Sequence, residues 1–163
     1  MSTYYTHIDS PIDRLMLVSD GASLTGVYML DQRYEPPVQE DWIAREDVAP
    51  FPEAIRQLRA YFEGTLTEFT VPLAPTGTPF QRRVWEELGR IPYGMTLSYG
   101  ELAKRVGNGN ASRAVGMANG RNPIPIIVPC HRVIGANGSL TGFGGGLPMK
   151  KWLLSHESGG HLF

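Results

Sequence analysis

Apolar positions alternate with polar ones early in the chain and fall three and four apart later, so strands are expected first and helices afterwards. Residues 3–9, 14–19 and 24–30 are dominated by Val, Tyr, Thr, Leu and Met. Ser10-Pro11 and Asp20-Gly21 separate them, which predicts three short strands joined by turns. Residues 31–50 break the pattern: they are polar, acidic and proline-bearing (Tyr34-Glu35-Pro36-Pro37), and read as a loop with little order. From Pro52 the period lengthens. Ile55, Leu58, Tyr61 and Phe62 form one apolar stripe, proline suits the first turn, and Gly64 stops a helix predicted over 52–62. The Pro/Thr/Gly stretch 71–79 reads as a linker.

The pattern beyond the linker is helical. Phe80, Val84, Trp85 and Leu88 predict a helix over 80–90, ended by Ile91-Pro92-Tyr93-Gly94. Ser98 with Glu101 three residues later is a capping box, opening a helix over 99–106 that stops at Gly107-Asn108-Gly109. Another follows over about 111–119. Short helix, glycine turn and second helix make a helix-turn-helix outline, which also fits plain helix packing. A final helix, about 148–156, is expected to turn Trp152 and Leu153 inward. The fold class is therefore α+β: a small N-terminal α/β domain with a short antiparallel sheet over 1–77, then a mostly helical C-terminal domain over 78–163.

Composition narrows the classes. Hydrophobic residues make up 42% of the 163 and charged residues 19%, which is ordinary for a globular core. No apolar run approaches the roughly 20 residues of a membrane helix. The start, MSTYYTHIDS, has neither the basic residues nor the apolar stretch of a secretory signal, so a cytoplasmic monomer is expected. Cys130 stands alone, and His7, His131, His156 and His161 show no paired ligand spacing. Neither a disulfide nor a metal is expected. The net charge is only −1, but it is segregated. Residues 1–79 hold 5 basic and 12 acidic side chains, and residues 80–163 hold 10 and 4. A basic second half is the footprint of a partner that carries phosphate.

The candidate chemistry lies after Asn122-Pro123. The apolar run 124–128 leads into Pro129-Cys130-His131-Arg132-Val133-Ile134, where two prolines argue against a helix. A buried extended segment that delivers Cys130 to a pocket fits better. A lone cysteine in such a run can be an inert small hydrophobe. With His131 and Arg132 beside it, it can also be a nucleophile whose thiolate needs a base or positive potential. In extended chain Cys130 and His131 point apart, so water or a bend would have to connect them. Glu157 is the candidate to orient the imidazole. The glycine-dense stretch 135–146 suits close approach of backbone to a ligand.

The segment Pro129-Cys130-His131-Arg132-Val133 resembles the acceptor motif of the O6-alkylguanine-DNA alkyltransferases, and the resemblance extends in order over residues 78–157. Thr78-Pro79-Phe80-Gln81, Val84-Trp85, Ile91-Pro92-Tyr93-Gly94 and Ser98-Tyr99 resemble the first C-terminal helices. Ser112-Arg113-Ala114-Val115-Gly116 and Asn119-Gly120-Arg121-Asn122-Pro123 resemble the recognition helix and the turn after it. Thr141-Gly142-Phe143-Gly144-Gly145-Gly146 and Trp152-Leu153-Leu154 resemble the lesion-pocket loop and last helix. The resemblance implies roles. Cys130 would accept the alkyl group, His131 would take its proton through a water, Glu157 would orient His131, and Asn122 would brace the turn. Tyr99 would donate to the leaving guanine. Arg113 would replace the extruded nucleotide, with Tyr99, Ala114 and Gly116 also against DNA. Val133, Phe143, Gly144 and Pro125 would line the pocket. It further implies double-stranded DNA bearing O6-alkylguanine as partner, O4-alkylthymine as a second candidate lesion, and no cofactor. Phe143 stands where many members carry tyrosine. A non-catalytic alkylated-DNA binding module and, less favoured, a cysteine hydrolase are the alternatives.

Overall fold

In the computed structural model, residues 2–29, 38–139 and 146–159 are described. The chain divides into two compact units, Met1–Thr76 and Gly77–Phe163. Four strands and a helix build the first: β1 (Tyr4–Ile8), β2 (Leu15–Ser19), β3 (Leu24–Met29), β4 (Ile43–Ala44) and α1 (Phe51–Phe62). The sheet order is β3-β2-β1-β4, antiparallel except for β4, which runs parallel to β1 through Tyr4↔Ile43 and Tyr5↔Ala44. All five residues of β2 are buried. The Asp20 carboxylate closes the β2–β3 turn by accepting the backbone N–H groups of Ala22 and Ser23 at 2.9 and 2.8 Å. The stretch 38–50, expected to be loop, contains β4. A two-residue strand pairs by backbone alone and leaves no side-chain period to read. In α1, Phe51, Ala54, Leu58 and Tyr61 are buried at helical spacing.

The second unit holds α2 (Pro79–Leu88), β5 (Leu97–Ser98), α3 (Tyr99–Arg105), α4 (Ser112–Gly120), a 3₁₀ turn (Cys130–Arg132), β6 (Val133–Ile134) and α5 (Leu147–Glu157). Capping boxes open α2 at Thr78/Gln81 and α3 at Ser98/Glu101. Gly107, at φ 90°, turns the chain from α3 towards α4, a conformation that glycine adopts without strain. Helices α2, α3 and α4 pack together, and the Trp85 indole N–H donates to the Ala118 carbonyl at 2.8 Å. Parallel pairing of β5 with β6, Leu97↔Val133 and Ser98↔Ile134, ties the start of α3 to the chain just after Cys130. Leu153 and Leu154 of α5 are buried, but Trp152 is half-buried and stacks on His156 with centroids 4.9 Å apart. The inward stripe runs through 150, 153, 154 and 157, which leaves Trp152 at its edge.

Candidate functional site

The reactive turn is set up by the residues before it. Asn122 donates from Nδ2 to the Val128 carbonyl at 2.8 Å and accepts from Ile124 N–H at 3.0 Å, closing the 122–128 loop on itself. Inside that loop buried Ile126 sits at φ 75°, which a β-branched residue rarely adopts. Such strain costs of the order of 1–3 kcal/mol and persists only where surrounding contacts enforce it. At Pro129 the chain bends. Cys130, His131 and Arg132 form a 3₁₀ turn, not the expected extended segment, closed by Arg132 N–H to the Pro129 carbonyl at 3.0 Å.

Cys130 is 4% exposed. Burial pushes its thiol up to about 11, opposed by a hydrogen bond from Asn122, the charge of Lys150, and the backbone N–H groups of Cys130 and His131. The sulfur is thus a thiol at rest, surrounded by groups that favour the thiolate. His131 is fully buried. Its Nε2 lies 2.6 Å from Glu157 Oε2. Burial depresses its pKa, and the neighbouring Glu157 carboxylate only partly reverses this, so the ring is a neutral base at neutral pH. A neutral ring that donates from Nε2 to a carboxylate presents Nδ1 as a bare acceptor. That Nδ1 is buried with no hydrogen-bond partner among the described residues.

Glu157 is shared. Arg132 donates from Nε to Oε1 at 2.7 Å and from a terminal nitrogen to Oε2 at 3.0 Å, and its other terminal nitrogen donates to the Ile91 carbonyl at 2.6 Å. Burial alone would raise the Glu157 carboxyl. Hydrogen bonds from His131 and Arg132, with the Arg132 charge, reverse that and hold it far below the usual carboxylate range. Lys150 is fully buried on α5. It donates to the Val133 carbonyl at 2.5 Å and lies 5.9 Å from the centre of the Tyr99 ring, within cation–π reach. Burial lowers it to about 8, partly opposed by the Cys130 sulfur.

The turn therefore gathers Cys130, His131, Asn122, Val133 and Glu157. Tyr99, at the start of α3, is half-buried and joins them through Lys150. Gly116 of α4 packs beside Tyr99: a β-carbon there would stand 3.8 Å from the ring. Arg113 and Ala114 are exposed on the outer face of α4, away from the thiol turn, and Pro125 is buried in the Asn122 loop. Phe143 and Gly144, with the loop expected to cover the pocket, lie outside the described residues. Reading the sequence missed Lys150 and Asn119. Both stand on buried helical stripes otherwise apolar, Lys150 with Leu153 and Leu154, Asn119 with Val115 and Ala118. A polar residue at a core position of the period was the available signal.

Comparison with known proteins covers both units. Residues 79–159 match the family model described as 6-O-methylguanine DNA methyltransferase, DNA binding domain, and residues 3–75 match 6-O-methylguanine DNA methyltransferase, ribonuclease-like domain. The chain is 53% identical over 154 residues to a methylated-DNA–protein-cysteine methyltransferase of Methanosarcina acetivorans, covering 94% of this chain and 97% of that one. It is 55% identical over 154 residues to a protein of the same name from Mycobacterium tuberculosis, covering 94% and 92%. Among solved structures, Mycobacterium tuberculosis OGT in complex with DNA superposes with a TM-score of 0.88 at 52% identity, over 96% of this chain and 93% of that one.

Proposed function

Because the chain belongs to the 6-O-methylguanine DNA methyltransferase family, we propose that it repairs DNA by moving the alkyl group of an O6-alkylguanine onto Cys130, once per molecule. It is a methylated-DNA–protein-cysteine methyltransferase, and alkylated duplex DNA is its partner. The observation that carries the residue assignment is the buried relay beside the single cysteine: His131 Nε2 on Glu157 at 2.6 Å, Nδ1 bare, and Lys150 close enough to favour a sulfur anion.

The lesion's alkyl carbon is stacked inside the duplex, so the nucleotide is extruded at a cost of about a few kcal/mol, less for a damaged pair. Arg113 on the exposed face of α4 fills the space it leaves. The Cys130 proton passes through a water to His131 Nδ1. As the sulfur–carbon bond forms, the carbon–O6 bond breaks and its electron pair goes to guanine. Tyr99 donates to the ring as that charge develops. Starting from a neutral thiol, proton loss is uphill, and Lys150, Asn122 and the turn amides supply the compensating potential. The product thioether has no group here to hydrolyse it, so the molecule is spent. Val133 and Pro125, with Phe143 and Gly144, line the base pocket in this reading, and Ala114 and Gly116 let α4 approach DNA closely. No described helix is long and apolar enough to cross a membrane, and a cytoplasmic location accords with the reading.

Incubation with duplex containing O6-methylguanine, followed by peptide mass spectrometry, tests it. One methyl on the Cys130 peptide, stoichiometric and then silent, is expected. Continued turnover would point to a hydrolase, and unmodified protein bound to the lesion to a binding module.

A further inference from the structure

Among the described residues, two buried side-chain atoms lack a hydrogen-bond partner: His131 Nδ1 and Asn119 Oδ1. Both belong to groups attached to the Cys130 turn. His131 is the next residue in the chain, and Asn119 Nδ2 donates to the Cys130 carbonyl at 3.3 Å. Asn119 is 1% exposed, on the inner stripe of α4 beside Val115 and Ala118. An unpaired carbonyl oxygen at such a place is destabilising, because its lost hydration is not replaced. An apolar side chain would avoid that cost. The bond Asn119 does make is long and not needed to satisfy its acceptor, since the Cys130 carbonyl also receives the Val133 N–H. Structure alone thus gives little reason for an amide at this position.

The chemistry gives one. A buried water typically makes about three hydrogen bonds to otherwise unpaired polar groups. A water that relays a proton from Cys130 to His131 accepts from the thiol and donates one hydrogen to Nδ1. Its second hydrogen then needs an acceptor. Asn119 Oδ1 accepts and cannot donate, so it also fixes the direction of the relay.

We propose that Asn119 is a positioning residue for alkyl transfer, its Oδ1 taking the second hydrogen of the water between Cys130 and His131 so that the first points at Nδ1. During the reaction the thiol proton goes to the water and a water proton goes to Nδ1. Nε2 keeps its hydrogen on Glu157, and the sulfur's electron pair attacks the alkyl carbon. The inference rests on Cys130 as alkyl acceptor. The charged and titratable groups around the relay are Glu157 and Lys150 from α5, Arg132 from the turn, and Tyr99 from α3. Tyr93 adds its ring, 5.7 Å from the Arg132 guanidinium. None of these is altered by a change at Asn119.

The test uses Asn119→Leu, close in shape and apolar, and Asn119→Asp, which keeps an acceptor and loses the donor. Transfer to Cys130 is timed with free O6-benzylguanine across pH, alongside thermal unfolding. The wild type is first shown by mass spectrometry to alkylate at Cys130; failure there defeats the proposed function and the inference with it, whereas the variants test the inference alone. The expected result for Asn119→Leu is a rate about tenfold to a hundredfold lower at neutral pH, since a positioned proton relay is typically worth 10²–10⁴. The midpoint of its pH–rate profile should move upward with no loss of melting temperature. Asn119→Asp should retain more of the rate than Asn119→Leu; if Asn119→Leu fails to fold, Asn119→Ala takes its place in the comparison. An unmoved pH midpoint, or equal losses in the two variants, overturns the proposal.

Discussion

A lysine with no exposed surface has to recover its lost hydration, and Lys150 does so with a carbonyl at 2.5 Å and an aromatic face. The recovery is incomplete, as its lowering to about 8 shows. The deficit is smallest when the Cys130 sulfur is anionic, so lysine and thiolate stabilise one another across the turn. Replacing Lys150 with Met removes the charge that favours the sulfur anion. We expect transfer at pH 7 to fall roughly tenfold, equivalent to about one pKa unit on the thiol. Any inflection of the wild-type rate near the titration of Lys150 should vanish. Stability should not fall with activity, because an apolar side chain of similar length relieves a desolvated cation. Single-turnover kinetics from pH 6 to 10, with melting curves, check this; an unaltered pH profile would remove Lys150 from the chemistry.

Periodicity carried the helices and the three long strands into view because each is a local pattern. It could not show which distant segments pair. The two-residue strands β5 and β6 carry no period, yet they are what bring Tyr99 beside the Cys130 turn. The 3₁₀ bend at Cys130 was hidden by its prolines, which exclude a helix interior without choosing between extended chain and a turn. Glu157 was legible as a polar position at the end of α5. Its partition between His131 and Arg132 was not, because spacing within a helix says nothing about what faces it. Two elements give further predictions. In the 122–128 loop, Asn122→Ala leaves the Ile124 N–H unpaired beside a strained Ile126 and removes one of two hydrogen bonds on the Val128 carbonyl, which still accepts the Cys130 N–H at 2.8 Å. A loss of about 1–3 kcal/mol in urea unfolding is expected, from one buried donor left without a partner. Transfer to the free base should slow as well, because Asn122 is among the groups that lower the Cys130 thiol against burial. On α4 the exposed face is separate from the buried one. Arg113→Ala should therefore lower the repair rate in duplex far more than reaction with free O6-benzylguanine, and equal losses on the two substrates would exclude the extrusion role.

At the scale of the whole molecule, a net charge of −1 conceals a basic C-terminal half, and overall composition was a poor guide to the partner until it was divided. The buried charges matter in another way, through the dependence of stability on pH. His131 is held below its ordinary value of 6.5, first by burial, so the folded state binds its proton less readily than the unfolded chain. Its contribution is fully present above pH 6.5 and is lost as the pH falls below that value. His7 is lowered for the same first reason, with Arg14 adding to it, and acts with the same sign in the same window. Glu157, held low by His131 and Arg132 against the effect of burial, contributes above its ordinary 4.5 and loses that contribution only in stronger acid. Unfolding free energy should consequently decline from pH 7 to pH 5 as the unfolded chain takes up protons, with His131 adding at most about 1.4 kcal/mol per pH unit and the exposed, solvent-screened His7 much less. His131→Gln cannot titrate there. It should be less stable at pH 7, yet its stability should change with pH only by the smaller slope left by His7, and the double variant with His7→Gln should be nearly flat down to pH 5. Urea denaturation at half-unit pH intervals measures all three slopes, and a decline that survives in the double variant would mean that the acid sensitivity lies outside these imidazoles.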